Sequence, residues 1–299
     1  MTMPAVIPKF RLSENTHTGT VALKVADLEK QTLFYQNVIG LKIIQKTEKQ
    51  SILGAENDET PLLILNKVED AAPAARKTGL YHVAFLLPSR RDLGNALIHY
   101  LTVKAPFIGA SDHGYSEALY LTDLESNGIE VYHDKPRRYW DVREDGEIPA
   151  ITIEMDAQGV IDASDRKWNG FPRGTKVGHV HLKVSELKAT QTFYNDILGL
   201  SLKTNFGNQA KFFATGSYHH HIGTNIWTGK NIPAMDKNDI GLDYYTFFVE
   251  NTIELARIEQ HWQEHDVVYE KDKTGVLSIT DPNGISIQIQ IESFWESTQ

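Results

Sequence analysis

The chain has 299 residues, with 39 acidic against 30 basic side chains for a formal net charge of −9, and is 41% hydrophobic and 23% charged. This is the make-up of a soluble globular protein with space for two domains of about 150 residues. The acidic balance argues against nucleic acid or an anionic membrane as main partner, since both need clustered Lys and Arg, and favours a small molecule. With no cysteine, disulfides, thiolate metal sites and Cys nucleophiles are excluded, and any metal must use His and carboxylate.

In chain order, residues 1–16 carry two prolines and read as a loose arm. The opening MTMPAVIPKF has neither a basic start nor a continuous apolar run, and no segment approaches about 18 apolar residues, so a cytoplasmic protein is expected. From 17 to 41 the alternation of Val21, Leu23 and Val25 predicts a half-buried strand. Asp27-Leu28 then starts an amphipathic helix that closes at Gly40, where a left-handed C-terminal residue is expected. Strands follow at Lys42–Lys46, Gln50–Leu53 and Leu62–Leu65, completing a βαβββ module. After a polar spacer, a second module has a strand at Gly79–Phe85, a helix from Arg90 to Leu101, and strands at Ala118–Leu121 and Ile129–Tyr132. Residues 135–175, rich in charge, Gly and Pro, read as an ordered linker, longer than an ordinary loop and so expected to have a packing or functional role. A third module runs from Val177 to Trp227. A fourth starts at Gly241, with a helix near Ile253–Glu264 and strands at Val276–Thr280 and Ile285–Ile291.

The chain is an internal duplication. GTVALKVADLEKQTLFYQNVIGL (Gly19–Leu41) returns as GHVHLKVSELKATQTFYNDILGL (Gly178–Leu200), relating modules one and three. Modules two and four correspond through Gly79-Leu80 with Gly241-Leu242, and through Asp123…Asn127-Gly128-Ile129-Glu130 with Asp281-Pro282-Asn283-Gly284…Gln288. The expected class is α+β: four βαβββ modules in two tandem repeats, with mixed sheets curled around a cavity. Residues 1–136 (modules 17–67 and 79–136) and 175–299 (modules 177–230 and 241–292) form the two domains, joined by the linker 137–174.

At equivalent places the first strands offer Thr20, His82, His179 and Tyr244, and the last strands of modules two and four offer Glu130 and Gln288. Only His82, His179 and Glu130 are strong ligands for a divalent metal. Two imidazoles and one carboxylate leave open coordination positions, as in non-haem Fe(II) oxygenases, although the same donors suit Zn, Mn or Ni. A single strand histidine is more often a hydrogen-bonded core residue. Coincidence at repeat-equivalent positions weighs against that, and so does Glu130 between Ile129 and Val131, where an unpaired carboxylate would be costly to bury.

These residues resemble the vicinal oxygen chelate superfamily of glyoxalases and extradiol ring-cleaving dioxygenases, over nearly the whole chain. The motifs are GHVHLKVSELKATQTFYNDILGL, LYHVAF, SEALYL, DLESNGIEVY and YHHHIGTNIW, and within the superfamily the chain is most similar to the two-domain catechol 2,3-dioxygenase type. The resemblance implies Fe(II) held by His82, His179 and Glu130, a chelated catechol, dioxygen bound beside it, and ring cleavage next to the diol. It further implies His221 as a proton shuttle, Tyr120 near the substrate oxygen, and His113 as a pocket histidine. His181, two residues after His179, points to the same face and is assigned to the substrate pocket, as is His220. The run His219-His220-His221 reads equally as a polar strand end, and Tyr120 as an ordinary strand aromatic. Familiar members draw all three ligands from consecutive C-terminal modules. Here module four has Tyr244 and Gln288 instead, so modules two and three are expected to pair across the linker, with one and four as a metal-free partner. Two other functions fit the fold: a glyoxalase-like isomerase or thiol transferase using the metal as a Lewis acid, and a non-catalytic ligand-binding protein. A homo-oligomer is compatible with the sequence.

Overall fold

In a strand, successive side chains point to opposite faces, so the alternating first strand of each module separates an apolar set from a second set that carries the histidines. The computed structural model describes residues 5–73 and 75–292 and contains four βαβββ modules. Module one is β1 (His17–Val25), α1 (Leu28–Phe34), β2 (Lys42–Lys46), β3 (Gln50–Gly54) and β4 (Pro61–Lys67). Module two is β5 (Gly79–Leu86), α2 (Arg90–Thr102), β6 (Phe107–Asp112), β7 (Ser116–Thr122) and β8 (Gly128–Asp134). The linker contains α3 (Ala157–Asp162). Module three is β9 (Lys176–Lys183), α4 (Leu187–Thr192), β10 (Ser201–Phe206), β11 (Ala210–Ala214) and β12 (Ile222–Asn225). Module four is β13 (Gly241–Val249), α5 (Thr252–Glu264), β14 (Glu270–Lys271), β15 (Leu277–Thr280) and β16 (Ser286–Ile291).

The strands form two eight-stranded mixed sheets, ordered β14-β15-β16-β13-β1-β4-β3-β2 and β10-β11-β12-β9-β5-β8-β7-β6. Within a module the first and last strands run parallel, and modules join through antiparallel first strands, β1 with β13 and β5 with β9. Modules two and three therefore share a sheet, as the distribution of ligands predicts, and modules one and four share the other. Val21, Leu23 and Val25 of β1, Val83 and Phe85 of β5, and Val180 and Leu182 of β9 belong to one continuous apolar core. Their alternate neighbours Ala22, His82, Ala84, His179 and His181 lie outside it.

The repeated β–α motif is built alike in both copies. Asp27 Oδ1 accepts from Lys30 N at 3.1 Å, and Glu186 accepts from Lys188 N and Ala189 N at 2.8 and 2.6 Å, each capping a helix start. Both helices then widen into one π-turn, Tyr35–Ile39 and Phe193–Ile197. Gly40 (φ 105°) and Gly199 (φ 79°) end them in the left-handed region.

Two expectations are corrected. The described part of the N-terminal arm is docked, not loose: Val6 exchanges backbone hydrogen bonds with Leu202 at 3.2 and 2.9 Å, and Leu12 is buried. The strand β6 has no counterpart in the sequence reading, because Gly109 and Ser111 interrupt its apolar pattern. The linker has the packing role expected of its length. Phe171 is fully buried and donates N–H to Gly40 O at 2.7 Å, Ile148 N donates to Lys203 O at 3.1 Å, and Ile153 bridges to Asp112.

Candidate metal centre

His82 comes from β5, Glu130 from β8 and His179 from β9, three adjacent strands of one sheet, all on the face opposite the apolar core. His82 Nε2 and His179 Nε2 lie 3.0 and 3.2 Å from Glu130 Oε2 and 3.2 Å from each other. All three side chains are buried. Three donors at mutual right angles about 2.1 Å from an octahedral ion stand about 3.0 Å apart, so this near-equilateral triangle fits one facial metal with open positions on the cavity side.

The electrostatics suit a cation. Burial by itself raises the Glu130 carboxyl, but the His179 and His82 imidazoles overcome this and hold it well below the usual carboxylate range. Burial pushes His179 down to about 4, with Glu130 opposing. Near neutrality the site presents an ionised carboxylate beside a neutral His179, the protonation state metal binding requires. The corresponding positions of the other sheet, Thr20, Tyr244 and Gln288, offer no comparable set, and burial pushes the Tyr244 phenol up to about 12.

The triangle opens into a cavity of about 550 Å³ whose lining includes Tyr120, His113, His181 and His220. Tyr120 stands directly across from Glu130 in the β7–β8 pair. His113 Nδ1 is 2.7 Å from Ile151 O, which only accepts, so its Nε2 is free to accept the Tyr120 hydroxyl at 2.6 Å. Burial, then Glu130, keeps the phenol well above its ordinary value and therefore protonated. His181 is buried with no partner for Nε2, and burial holds it neutral. His220 packs against His179 with ring centroids 4.2 Å apart, and its Nδ1 is 2.8 Å from His219 Nδ1. His219 Nε2 in turn lies 3.0 Å from Asp134 Oδ1, while Tyr218 donates to Asp134 Oδ2 at 2.9 Å. Since the carboxylate accepts from His219 Nε2, His219 Nδ1 accepts from His220 Nδ1–H. The unprotonated Nε2 of His220 is left for the cavity.

The structure separates two of the candidate histidines. His221 is not among the residues lining the cavity: its ring lies against Tyr218, and its Nδ1 accepts from Thr215 N at 3.3 Å. His220 occupies the cavity side instead. The sequence reading also missed the aromatic walls, Tyr81, Tyr115, Phe212 and Trp227. Tyr81 and Phe212 stand on β5 and β11, where an aromatic is an ordinary strand residue, and Tyr115 and Trp227 stand in loops whose position only the fold fixes.

The glyoxalase/bleomycin resistance protein/dioxygenase superfamily pattern matches residues 17–132. A catechol-2,3-dioxygenase of Bacillus subtilis (strain 168) is 43% identical over 248 residues, 82% of this chain and 86% of that protein. Among solved structures, a putative dioxygenase from Bacillus subtilis superposes with a TM-score of 0.63 at 11% identity, covering 95% of this chain and 88% of that one. Glyoxalase I from Zea mays superposes with a TM-score of 0.60 at 12% identity, covering 95% of each. These two likenesses show the fold, whereas the 43% identity reaches the family: the chain belongs to the glyoxalase/bleomycin resistance protein/dioxygenase superfamily and is an enzyme of its oxygenase kind.

Proposed function

We propose that this protein is an extradiol dioxygenase which binds Fe(II) through His82, Glu130 and His179 and cleaves the ring of a catechol next to its two hydroxyls, using dioxygen. The observation that carries the reading is the triangle of donor atoms, 3.0 to 3.2 Å on a side, on the wall of a cavity large enough for an aromatic ring. Its relative named catechol-2,3-dioxygenase supports the choice of substrate and co-substrate. When bound, the iron would supply open positions at which a catechol and dioxygen meet.

The chain's own groups prepare the substrate. His220, neutral and with Nε2 free, takes a proton from a catechol hydroxyl as the diol enters, and can return it to product oxygen later. The Tyr120 hydroxyl, held by His113, keeps its lone pairs toward the cavity and accepts a hydrogen bond from the substrate, which orients the ring. Phe212, Tyr81 and Trp227 flank His181 and limit water around the ring, and the Tyr81 and Trp227 rings lie 5.1 and 5.4 Å from that imidazole. No described helix is long and apolar enough to cross a membrane.

The test is anaerobic loading with Fe(II), addition of catechol, then admission of air. Expected are consumption of one dioxygen per catechol and a yellow ring-opened product. Absence of both across a panel of substituted catechols, with iron fully bound, would overturn the reading. Isomerisation of a hemithioacetal by the same loaded protein would replace it with Lewis-acid chemistry.

A further inference from the structure

On β9, residues of one parity face the cavity: His179, His181 and then Lys183, all of which line it. Among the described residues, Lys183 is the only lysine or arginine in that lining. It is half-buried between Asn225 of β12 and Gly79 of β5, and among the described residues no hydrogen bond or ion pair ends on its ammonium. Burial pushes it down from the ordinary lysine range, with no nearby carboxylate acting against this. The repeat supplies an internal comparison. Lys24 occupies the equivalent place on β1, where its ammonium donates to the carbonyls of Asp236 and Lys237 at 3.3 and 3.2 Å. The lysine is satisfied in the sheet without the metal triangle and unpaired in the sheet that has it.

We propose that Lys183 selects the substrate by pairing with a carboxylate on the ring substituent, so that the preferred catechols carry a short acid-terminated side chain. The inference rests on the catechol reading above. Two strand steps of two residues separate Lys183 from His179, roughly 13 Å between Cα atoms, and both side chains line the same cavity. That interval fits an aromatic ring followed by an arm of two or three carbons. The walls beside it, Leu80, Tyr81, Phe212 and Trp227, suit the methylenes of such an arm. A neutral alkyl arm would satisfy those walls but would strip water from the ammonium and return nothing, which is unfavourable for a charge. A carboxylate supplies a charge-assisted hydrogen bond where water is scarce.

Calorimetric titration of the zinc-loaded protein under nitrogen tests this without turnover. The ligands are 3-(3,4-dihydroxyphenyl)propanoate and 4-propylcatechol, alike in arm length and differing in charge. The wild-type protein should bind the acid at least about tenfold more tightly. Lys183→Met should remove that preference by weakening the acid alone, and Lys183→Arg should keep it. Equal wild-type affinity for the two, a preference that survives Lys183→Met, or equal loss of both ligands in that variant would overturn the assignment of Lys183. Binding of neither catechol by the wild-type protein would instead remove the catechol reading itself, and this inference with it.

Discussion

Glu130 sets the charge of the centre, because it is the carboxylate of the donor triangle, beside two buried imidazoles. Glu130→Gln keeps the shape and loses the anion, so iron occupancy should fall at least about tenfold, whereas Gln288→Ala in the other sheet should leave it unchanged; elemental analysis after dialysis decides. Asp134 is no donor to the triangle but fixes the tautomer of His220 through His219. Asp134→Asn should lower kcat by about tenfold and alter its pH profile while iron content stays near normal. Loss of iron in that variant would make Asp134 part of the metal site. The metal-free protein should be acid-labile. His179 titrates near 6.5 when unfolded and near 4 when folded, so as pH falls the unfolded chain takes up its proton first and stability drops across that interval. The loss from this residue is about 3 kcal/mol, and His181 and His220, also held low by burial, act in the same direction. Thermal denaturation of the metal-free protein from pH 7 to pH 4 should show a steep fall in Tm beginning near 6.5. His82, His179 and Glu130 could be found from sequence because duplication supplied their equivalents for comparison. The choice between His220 and His221 could not, since a run of three histidines before a short strand gives no phase from which to count alternate faces.

The Phe-Tyr pair of each β–α motif sits where the helix widens to a π-turn, and this places a tyrosine deep in the core. Tyr35 Oη donates to Asp123 Oδ2 at 3.0 Å, while Tyr194 Oη meets Tyr245 Oη at 3.0 Å and Asp281 Oδ2 at 3.4 Å. Asp123 and Asp281 are the aspartates that cap the Asn-Gly turns before β8 and β16. Tyr35→Phe should therefore cost about 1–2 kcal/mol by leaving a buried carboxylate one donor short, and Tyr194→Phe less, because its contact to Asp281 is longer. Urea unfolding of the two variants compares them. Strands and helices were legible from alternation and from the acidic caps, and the Gly stops were predicted in the right conformation. The π-turns were not, since one extra residue in a helical turn barely disturbs the apolar spacing. β6 escaped because Gly109 and Ser111 break its apolar alternation although it forms a hairpin with the next strand, and the docked arm escaped because its pairing is decided by a distant partner, Leu202.

Across the whole protein, the order of modules in the sequence differs from their order in the sheets. Each sheet combines one module from either side of the linker, so His82 and Glu130 arrive from one half of the chain and His179 from the other. That pairing was legible only indirectly, from the absence of ligands in module four; hydrophobic patterning by itself is identical for either arrangement. Chain cleavage within the exposed segment Asp141–Asp145 should leave two fragments, neither of which binds Fe(II) alone. Mixed during refolding, they should regain the metal with the stoichiometry of the intact chain, which size-exclusion chromatography with iron analysis would establish.

The same arrangement bears on how the protein is made. As the chain leaves the ribosome, β1 and β5 emerge early, yet each is a central strand whose antiparallel partner, β13 or β9, has still to be translated. Until then both strands expose an unpaired backbone edge and a row of valines and leucines, the combination most prone to join another chain. Closure of either sheet depends on contacts distant in sequence, which are slow to form. Slower synthesis anywhere between β5 and β9, residues 135–175 included, would lengthen the interval in which the first half waits with open edges, so the yield of soluble protein should fall as translation of that stretch slows, which comparison of synonymous slow-codon and fast-codon genes by soluble yield would check.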